Sequence, residues 1–325
     1  MAKCLPSRRQ LLGGLAAGLL AAPSAPWPAS AAERVRLIVP AFPSEPAGRA
    51  AAVLQPALAA ELGVSVLLDF RPVAGGIVGL MEAAHAPRDG SVLTLLSPVI
   101  AAAPWLAERM DSEPADFSPI GRISFTPEVL VVAAASRWHR LDQLLAALRA
   151  DRGRIPTAFD GVWDSAEVAE VLMLDRAGLA ARPVAGRRAG RALASGAVAF
   201  AMRPLPWALA RIRRGRVRAL AVSAPARVAA LPGVPTLREA GIDVTLGSWL
   251  ALAGPAGAEL GSAREALAAV MADPAVTAAL GAAGVPAAYL GAAATRRAIA
   301  AEYRLLGALF RAAGVNVRGA AMAVR

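Results

Sequence analysis

The sequence predicts an α/β fold built from short strands and helices in alternation. From Arg34 onward, short runs of Val, Ile and Leu alternate with alanine-rich stretches of helical length. Glycines stand where helices should end, as Gly63 does after the first helical stretch. Strands that alternate with helices of this length are typical of parallel α/β layers.

The elements follow from hydrophobic period and from helix start and stop signals. Strands, which are short and aliphatic, are expected at 35–40, 64–70, 92–96, 128–134, 155–158, 198–202, 217–222 and 246–252. Helices, which are longer and rich in Ala and Leu, are expected at 47–62, 75–84, 141–150, 164–177, 190–195, 208–214, 262–271 and 294–313.

The first 32 residues have the pattern of an export signal. Arg8 and Arg9 precede an apolar run over 11–22, and small residues over 29–31 provide a cleavage site. The paired arginines favour twin-arginine export. A membrane anchor is disfavoured, because the apolar run is too short for ~30 Å of hydrocarbon and three prolines follow it. We therefore expect cleavage at residue 31 or 32 and a periplasmic mature protein.

The composition argues against several kinds of chemistry. Cys4 is the only cysteine and lies in the signal, so a mature chain without it has no disulfide or thiolate site. The two histidines, His85 and His139, lack the spacing of metal ligands. Neither a nucleophile elbow nor a phosphate loop is present. We expect a protein that is not an enzyme and holds no metal.

Positive charge is concentrated in one stretch of the chain. The formal charge is +11, and removal of the three basic signal residues leaves 11 − 3 = +8. Between Arg182 and Arg227 there are eleven arginines and no acidic residue. Such a run is compatible with solvated helix faces or with an anionic ligand. Because no nucleic-acid motif accompanies it, we expect no nucleic-acid partner.

Seven short motifs occur in one order along the chain. They are R-L-I-V-P at 36–40, D-F-R-P-V-A-G-G at 69–76, A-P-R-D-G at 86–90, D-F-S-P-I at 116–120, G-R-V-R-A-L-A-V at 215–222, L-P-G-V-P-T with E-A-G at 231–241, and S-W with G-P-A-G at 248–257. In these motifs the chain resembles the extracytoplasmic solute receptors of tripartite tricarboxylate transporters, often called Bug proteins.

The resemblance implies a two-domain periplasmic-binding-protein fold of type II. Each domain would be a mixed, mostly parallel sheet flanked by helices, with a ligand cleft between the domains. Domain 1 would comprise 33–130 and 250–325, and domain 2 would comprise 131–249, with crossings near 129–134 and 249–254. The family binds small organic acids without a cofactor and delivers them to a membrane permease. A monomer is expected.

One glycine-rich loop is the first candidate for ligand binding. Ala74, Gly75, Gly76 and Ile77 lead from a strand into a helix. A buried carboxylate needs directed donors, which backbone N–H groups at a helix N-terminus supply without a basic side chain. The alternative is a structural turn that contacts no ligand.

The first family loop, V-P-F-P-A-G-G-S-x-D, is altered over residues 39–48. Its two glycines become Ser44 and Glu45, and Pro46 has no N–H to donate. Ser44 is a candidate helix N-cap or ligand donor. Glu45 would repel a carboxylate if it faced the cleft.

The third family loop, S-A-G-x-G-T/S, is altered around Phe159, Asp160 and Gly161. One possibility is that Asp164 caps the following helix. The alternative is that Asp160 or Asp164 meets a ligand cation, with Phe159 and Trp163 supplying apolar or cation–π walls.

Arg203 stands where the family has an acidic or amide residue. It forms a carboxylate clamp if it faces the cleft and has no such role if it faces solvent. The departures leave two alternatives to an organic-acid receptor. One is a divergent member that binds an amide or amine, and the other is a periplasmic sensor that docks to a histidine kinase.

Overall fold

The computed structural model describes residues 34–107, 110–159, 165–184 and 189–312. The predicted export signal, Asp160, Gly161, Trp163 and Asp164 lie outside the described residues. The strands are Arg34–Val39 (β1), Ser65–Phe70 (β2), Val92–Leu96 (β3), Phe117–Ala133 (β4), Pro156–Thr157 (β5), Arg182–Pro183 (β6), Phe200–Pro204 (β7), Val217–Val222 (β8), Gly247–Pro255 (β9) and Ala287–Gly291 (β10). The helices are Pro46–Leu62 (α1), Ile77–Ala84 (α2), Val99–Leu106 (α3), Leu141–Asp151 (α4), Ser165–Arg176 (α5), Ala189–Ala194 (α6), Leu205–Ile212 (α7), Gly261–Ala272 (α8), Pro274–Ala282 (α9) and Ala292–Ala312 (α10).

A single long strand joins two sheets. The first sheet has the order β2-β1-β3-β9-β4-β10, and the second has the order β6-β5-β7-β4-β8. β4 is 17 residues long, and it pairs with β9 up to Pro127 and with β7 and β8 from Glu128. The predicted mixed α/β architecture is therefore confirmed. Among the strands that the structure describes, parallel pairing is confined to β1 with β2 and β3 and to β5 with β6 and β7, a smaller share than expected.

Strand direction places two sheet edges opposite each other. β3 and β4 both run antiparallel to β9, so β3 points the same way as β4, toward the second sheet. β7 runs antiparallel to β4, and β5 is parallel to β7, so both point back toward the first sheet. The carboxyl ends of β1–β3 therefore face the carboxyl ends of β5–β7. Ligands of α/β sheets bind outside such carboxyl ends.

A buried serine fastens the two crossings between the sheets. The Ser223 hydroxyl accepts the Glu128 N–H at 2.8 Å and donates to the Leu246 carbonyl. Leu246 N–H in turn donates to the Ser223 carbonyl at 3.1 Å. The chain thus leaves the first sheet after Pro127 and re-enters it at Gly247, slightly before the crossings that the resemblance implied.

Helices cover both faces of each sheet. The first sheet packs against α1, α8 and α9 on one face and against α2, α3 and α10 on the other. The second packs against α4 and α5 on one face and against α6 and α7 on the other. Leu306 and Phe310 of α10 are buried in the second sheet's core. α10 therefore begins on the first sheet and ends on the second, and the predicted domain limits stay a prediction.

Four elements and the first part of β4 were not predicted. β4 begins at Phe117 rather than at residue 128, since Pro119, Gly121 and Pro127 obscure the strand pattern. A register shift between Pro119 and Gly121 accommodates the first two of these residues. The four missed elements are α3, α9, β10 and the two-residue strand β6.

Among the described residues, no single helix combines the length and apolar composition needed to cross a membrane. α8 and α9, which meet at a bend of 77°, satisfy those two criteria only as a pair.

Gly247 lets β4 and β9 approach closely at the crossing. A Cβ on Gly247 would lie 2.2 Å from the Thr126 carbonyl oxygen. We expect Gly247→Ala to lower the free energy of unfolding by about 1–3 kcal/mol, because backbone atoms must move apart. Urea unfolding measures the change. Gly261→Ala at the start of α8, where a Cβ meets nothing within 4 Å, is the matched control and should not destabilise the protein.

Candidate functional site

The loop after β1 lies at the edge of the first sheet that faces the second sheet. A carboxylate of this loop binds one of the loop's own backbone N–H groups. Glu45 is the N-cap of α1, and its Oε2 accepts the Phe42 N–H at 2.8 Å. Ser44 is exposed and is not the N-cap, because the residue directly before Pro46 takes that position. The alternative role of Ser44, as a ligand donor, stays a prediction. A backbone donor of this loop is thus already bound to an anion of the chain itself.

The glycine-rich loop after β2 packs directly on the loop after β1. A Cβ on Gly76 would lie 2.3 Å from the Pro40 carbonyl oxygen, and Gly76 has φ +91°. Both facts require glycine there. A bulky residue at Gly76 would therefore disturb the fold as well as any ligand. Gly75 is different, since it is exposed and a Cβ there would meet nothing within 4 Å.

Three consecutive residues of this loop have positive φ. They are Ala74 at 53°, Gly75 at 67° and Gly76 at 91°. Ala74 is one of two non-glycine residues in this region among the described residues. A left-handed L-residue is strained by about 1–2 kcal/mol. Such strain tends to occur at functional sites, so it supports the choice of this loop as a site.

Arg71, the basic residue next to this loop, is held by ion pairs. Arg71 Nε lies 3.1 Å from Asp69 Oδ1 and 3.4 Å from Glu82 Oε2, and Arg36 pairs with both carboxylates. Burial acts to raise the pKa of Asp69, but the hydrogen bond and charge of Arg36, with the charge of Arg71, outweigh it and lower that pKa. Arg71 is therefore not a free donor to a ligand.

Ser97 is a candidate that the sequence reasoning missed. It directly follows β3 and is half-buried at the same edge as the two loops. A hydroxyl placed immediately after a fully buried strand, Val92–Leu96, was the available signal.

The facing edge of the second sheet is built on buried polar groups. Phe159 is half-buried just beyond β5. Glu128 is 0% exposed, and its Oε1 accepts the hydroxyl of Ser165 at 2.7 Å. Since Ser165 begins α5, this bond fixes the start of that helix against β4. Glu170 Oε2 accepts the Met202 N–H at 3.1 Å. This bond lies beyond the single pair, Thr157 with Phe200, that joins β5 to β7.

Arg203 is buried near the carboxyl end of β7. It is 8% exposed, and its guanidinium carbon lies 4.7 Å from the centre of the Trp207 ring. Side chains alternate along a strand, so Arg203 shares the face of Ala201, which α6 and α7 cover. It therefore does not face solvent, and its contact with a ligand stays a prediction.

The structure brings part of the predicted site together. Ser44, Ala74, Gly75, Gly76 and Ile77 lie in the two contacting loops of the first sheet. Phe159 and Arg203 belong to the opposite edge. Most of the described arginines between 182 and 227 are exposed or partly exposed, as the solvated alternative expects. No group of His, Cys or acidic residues in the described residues has a metal-binding arrangement.

The chain matches a known receptor family. A family model described as "Tripartite tricarboxylate transporter family receptor" (TctC) matches residues 50–315. Protein BugT of Bordetella pertussis is 31% identical over 236 residues, which cover 70% of this chain and 72% of BugT. The UPF0065 protein of the tcbD–tcbE intergenic region of Pseudomonas sp. is 29% identical over 239 residues, covering 72% of this chain and 71% of that protein.

Solved structures share the fold. A TctC solute-binding protein from Polaromonas, solved with no ligand, has a TM-score of 0.80 at 23% identity and covers 86% of this chain and 98% of its own. A Rhodopseudomonas palustris protein solved with adipate has a TM-score of 0.65 at 24% identity, covering 89% and 98%. MatC of that organism, with bound malate, has a TM-score of 0.57 at 21% identity, covering 87% and 99%. These likenesses confirm the solute-binding-protein fold.

Relief of strain at Ala74 provides a test of the loop geometry. We expect Ala74→Gly to raise the free energy of unfolding by about 1 kcal/mol, because glycine adopts positive φ without strain. Gly75→Ala should lower it by a similar amount, since its Cβ has room but its φ is unfavourable. Urea unfolding of the two variants compares them. Destabilisation by Ala74→Gly would contradict the left-handed conformation.

Proposed function

The chain belongs to the tripartite tricarboxylate transporter receptor family, and on that premise we propose that it captures a small organic acid between its two sheets. We propose further that residues 1–32 direct its export, that it works as a monomer in the periplasm, and that it passes the ligand to a membrane permease of this transporter type. Solute-binding receptors of this kind bind rather than convert their ligands.

The observation that carries the proposal is the left-handed loop Ala74–Gly76 at the edge that faces the second sheet. Its exposed residues, Ala74 and Gly75, leave the backbone open to a ligand, while Gly76 holds the loop against Pro40. Backbone dipoles before α2 attract an anion, and no basic side chain is needed.

The first loop limits which acid fits. Glu45 adds a negative charge next to the glycine-rich loop and occupies the Phe42 N–H. Phe42 is 55% exposed and Val73 is 62% exposed on the same two loops. One carboxylate gripped by backbone amides and an apolar body against these side chains therefore suits the site. We propose a monocarboxylate with an apolar body rather than a tricarboxylate.

Thermal-shift screening of the purified mature protein tests the ligand class. Panels of monocarboxylates, dicarboxylates such as adipate and malate, amides and amines should be compared at equal concentration. A rise in Tm with an acid is expected, since a ligand that binds only the folded state stabilises it. If amides or amines raised Tm and no acid did, the proposal that the ligand is an anion would be wrong.

A charge at position 75 tests the loop directly. Asp and Asn both tolerate positive φ and differ here only in charge, and a side chain at Gly75 has room. We expect Gly75→Asp to weaken binding of the best acid by about tenfold or more through charge repulsion, and Gly75→Asn to weaken it far less. Isothermal titration calorimetry measures both. Equal affinity in the two variants would remove this loop from the site.

Removal of the Glu45 charge tests the ligand preference. Glu45→Gln retains an oxygen that can accept the Phe42 N–H and removes the negative charge. We expect the affinity for dicarboxylates to rise about fivefold, with a smaller change for monocarboxylates. Titration of the wild type and the variant with one acid of each class gives the ratio. An unchanged ratio would show that Glu45 does not face the ligand.

A further inference from the structure

A second cavity lies away from the facing edges of the sheets. It has a volume of about 240 Å³ and is bounded by β4, β9, the residues just before β9, and α10. Its walls are mainly apolar, with Phe125, Trp249, Ile299 and Leu305 among them. None of the residues that line it belongs to the loops after β1, β2, β3, β5 or β7. It is therefore distinct from the organic-acid site proposed above.

Two ionisable side chains of opposite charge type line this cavity, each from a different element. Arg122 comes from β4, and Glu302 comes from α10. Arg122 Nε donates to the Ala288 carbonyl at 3.2 Å, and its guanidinium carbon lies 5.0 Å from the centre of the Phe125 ring. Glu302 Oε2 accepts the indole N–H of Trp249 at 2.7 Å.

Within the described part of the chain, neither of these groups has an ion-pair partner. Burial lowers the pKa of Arg122, and no nearby carboxylate acts against that change. Burial raises the pKa of Glu302 to about 7, and only the Trp249 hydrogen bond opposes it. The two groups do not pair with each other, although they line the same cavity. Each desolvated group thus lacks a counter-ion among the described residues, and both groups line the same cavity.

We infer that the cavity binds a small zwitterion that carries an ammonium, a carboxylate and an apolar side chain, as an α-amino acid does. The guanidinium of Arg122 would hold the carboxylate, and the carboxylate of Glu302 would hold the ammonium. Phe125 and Trp249 would pack against the side chain, and their ring faces suit a cation as well. A ligand with both charges supplies the two missing counter-ions at once, whereas a simple acid or amine supplies one.

Calorimetric titration of the mature protein with L-leucine tests this inference. Two probes each carry only one of the two charges. N-acetyl-L-leucine lacks the ammonium, and L-leucinamide lacks the carboxylate. We expect leucine to bind and each probe to bind at least about tenfold more weakly. No heat with leucine up to about 10 mM would overturn the inference, as would equal affinity for either probe.

Variants of the cavity residues test whether the ligand binds in this cavity. Glu302→Gln keeps an acceptor for the Trp249 indole, and Arg122→Met keeps an unbranched stem against Phe125. Each should weaken leucine binding by about tenfold or more while Tm shows that the protein remains folded. Arg304→Gln, an exposed charge on the same helix that does not line this cavity, is the matched control and should leave affinity unchanged. Retained affinity in both cavity variants would overturn the assignment.

The Gly75→Asp variant separates this proposal from the proposed function. It should lose organic-acid binding and keep leucine binding, because residue 75 does not line the cavity. If leucine binding were lost with it, or if an organic acid displaced leucine, the amino acid would occupy the cleft and the second site would be excluded. If no organic acid bound but leucine did, the proposed function would be wrong and the inference of an amino-acid site would remain supported.

Discussion

The architecture depends on β4 running unbroken through two sheets. Its first part pairs with β9 and its second part with β7 and β8, so one backbone sets the register of both layers. In the second sheet, Val129 and Val131 face α6 and α7, whereas Leu130 and Val132 face α4 and α5. A slip of one residue would exchange these faces and bury Glu128 on the wrong side. The direction of β4 and of its partners also brings the carboxyl edges of the two sheets opposite each other.

Charges in the first half of the site are largely compensated within the chain. Arg71 is held by Asp69 and Glu82, and Glu45 bonds to the backbone of its own loop. What the loops still offer to a ligand is backbone, shaped by glycine and by the strained Ala74. Backbone dipoles are fixed in direction and need little reorganisation on binding, so they select an anion by geometry rather than by net charge. Under the proposed function, the exposed Phe42 and Val73 would contact an apolar ligand body.

Local signals predicted much of the fold. The strand after Arg34, the helix that ends at Gly63 and the strand Val92–Leu96 all agree with the structure, because their patterns depend on nearby residues. The first part of β4 was missed because Pro119 and Pro127 interrupt the local strand pattern, and only the pairing with β9 shows that a register shift after Pro119 keeps the strand continuous. α9 was missed although Asp273 caps it and Pro274 is its first residue. Its nine residues are too few to show a clear helical pattern of apolar side chains.

The site was less predictable, because its contacts join distant residues. The sequence pattern predicts that a ligand approaches Gly76 closely, and the structure adds that Gly76 must also fit against Pro40. Whether Arg203 faces solvent or a helix depends on its pairing with Val129, which no local pattern reveals. Ser44 was considered as an N-cap, but the cap is the adjacent Glu45. Trp249 and Glu302 lie 53 residues apart and meet only because α10 crosses β9.

The second cavity lies between two physical connections of the sheets. One is the β4–β9 ribbon, in which Phe125 pairs with Trp249. The other is α10, which carries Glu302 and then ends in the second sheet's core at Leu306 and Phe310. A ligand that contacts both walls, as the inferred amino acid would, therefore touches the strand ribbon and the helix that together join the two sheets.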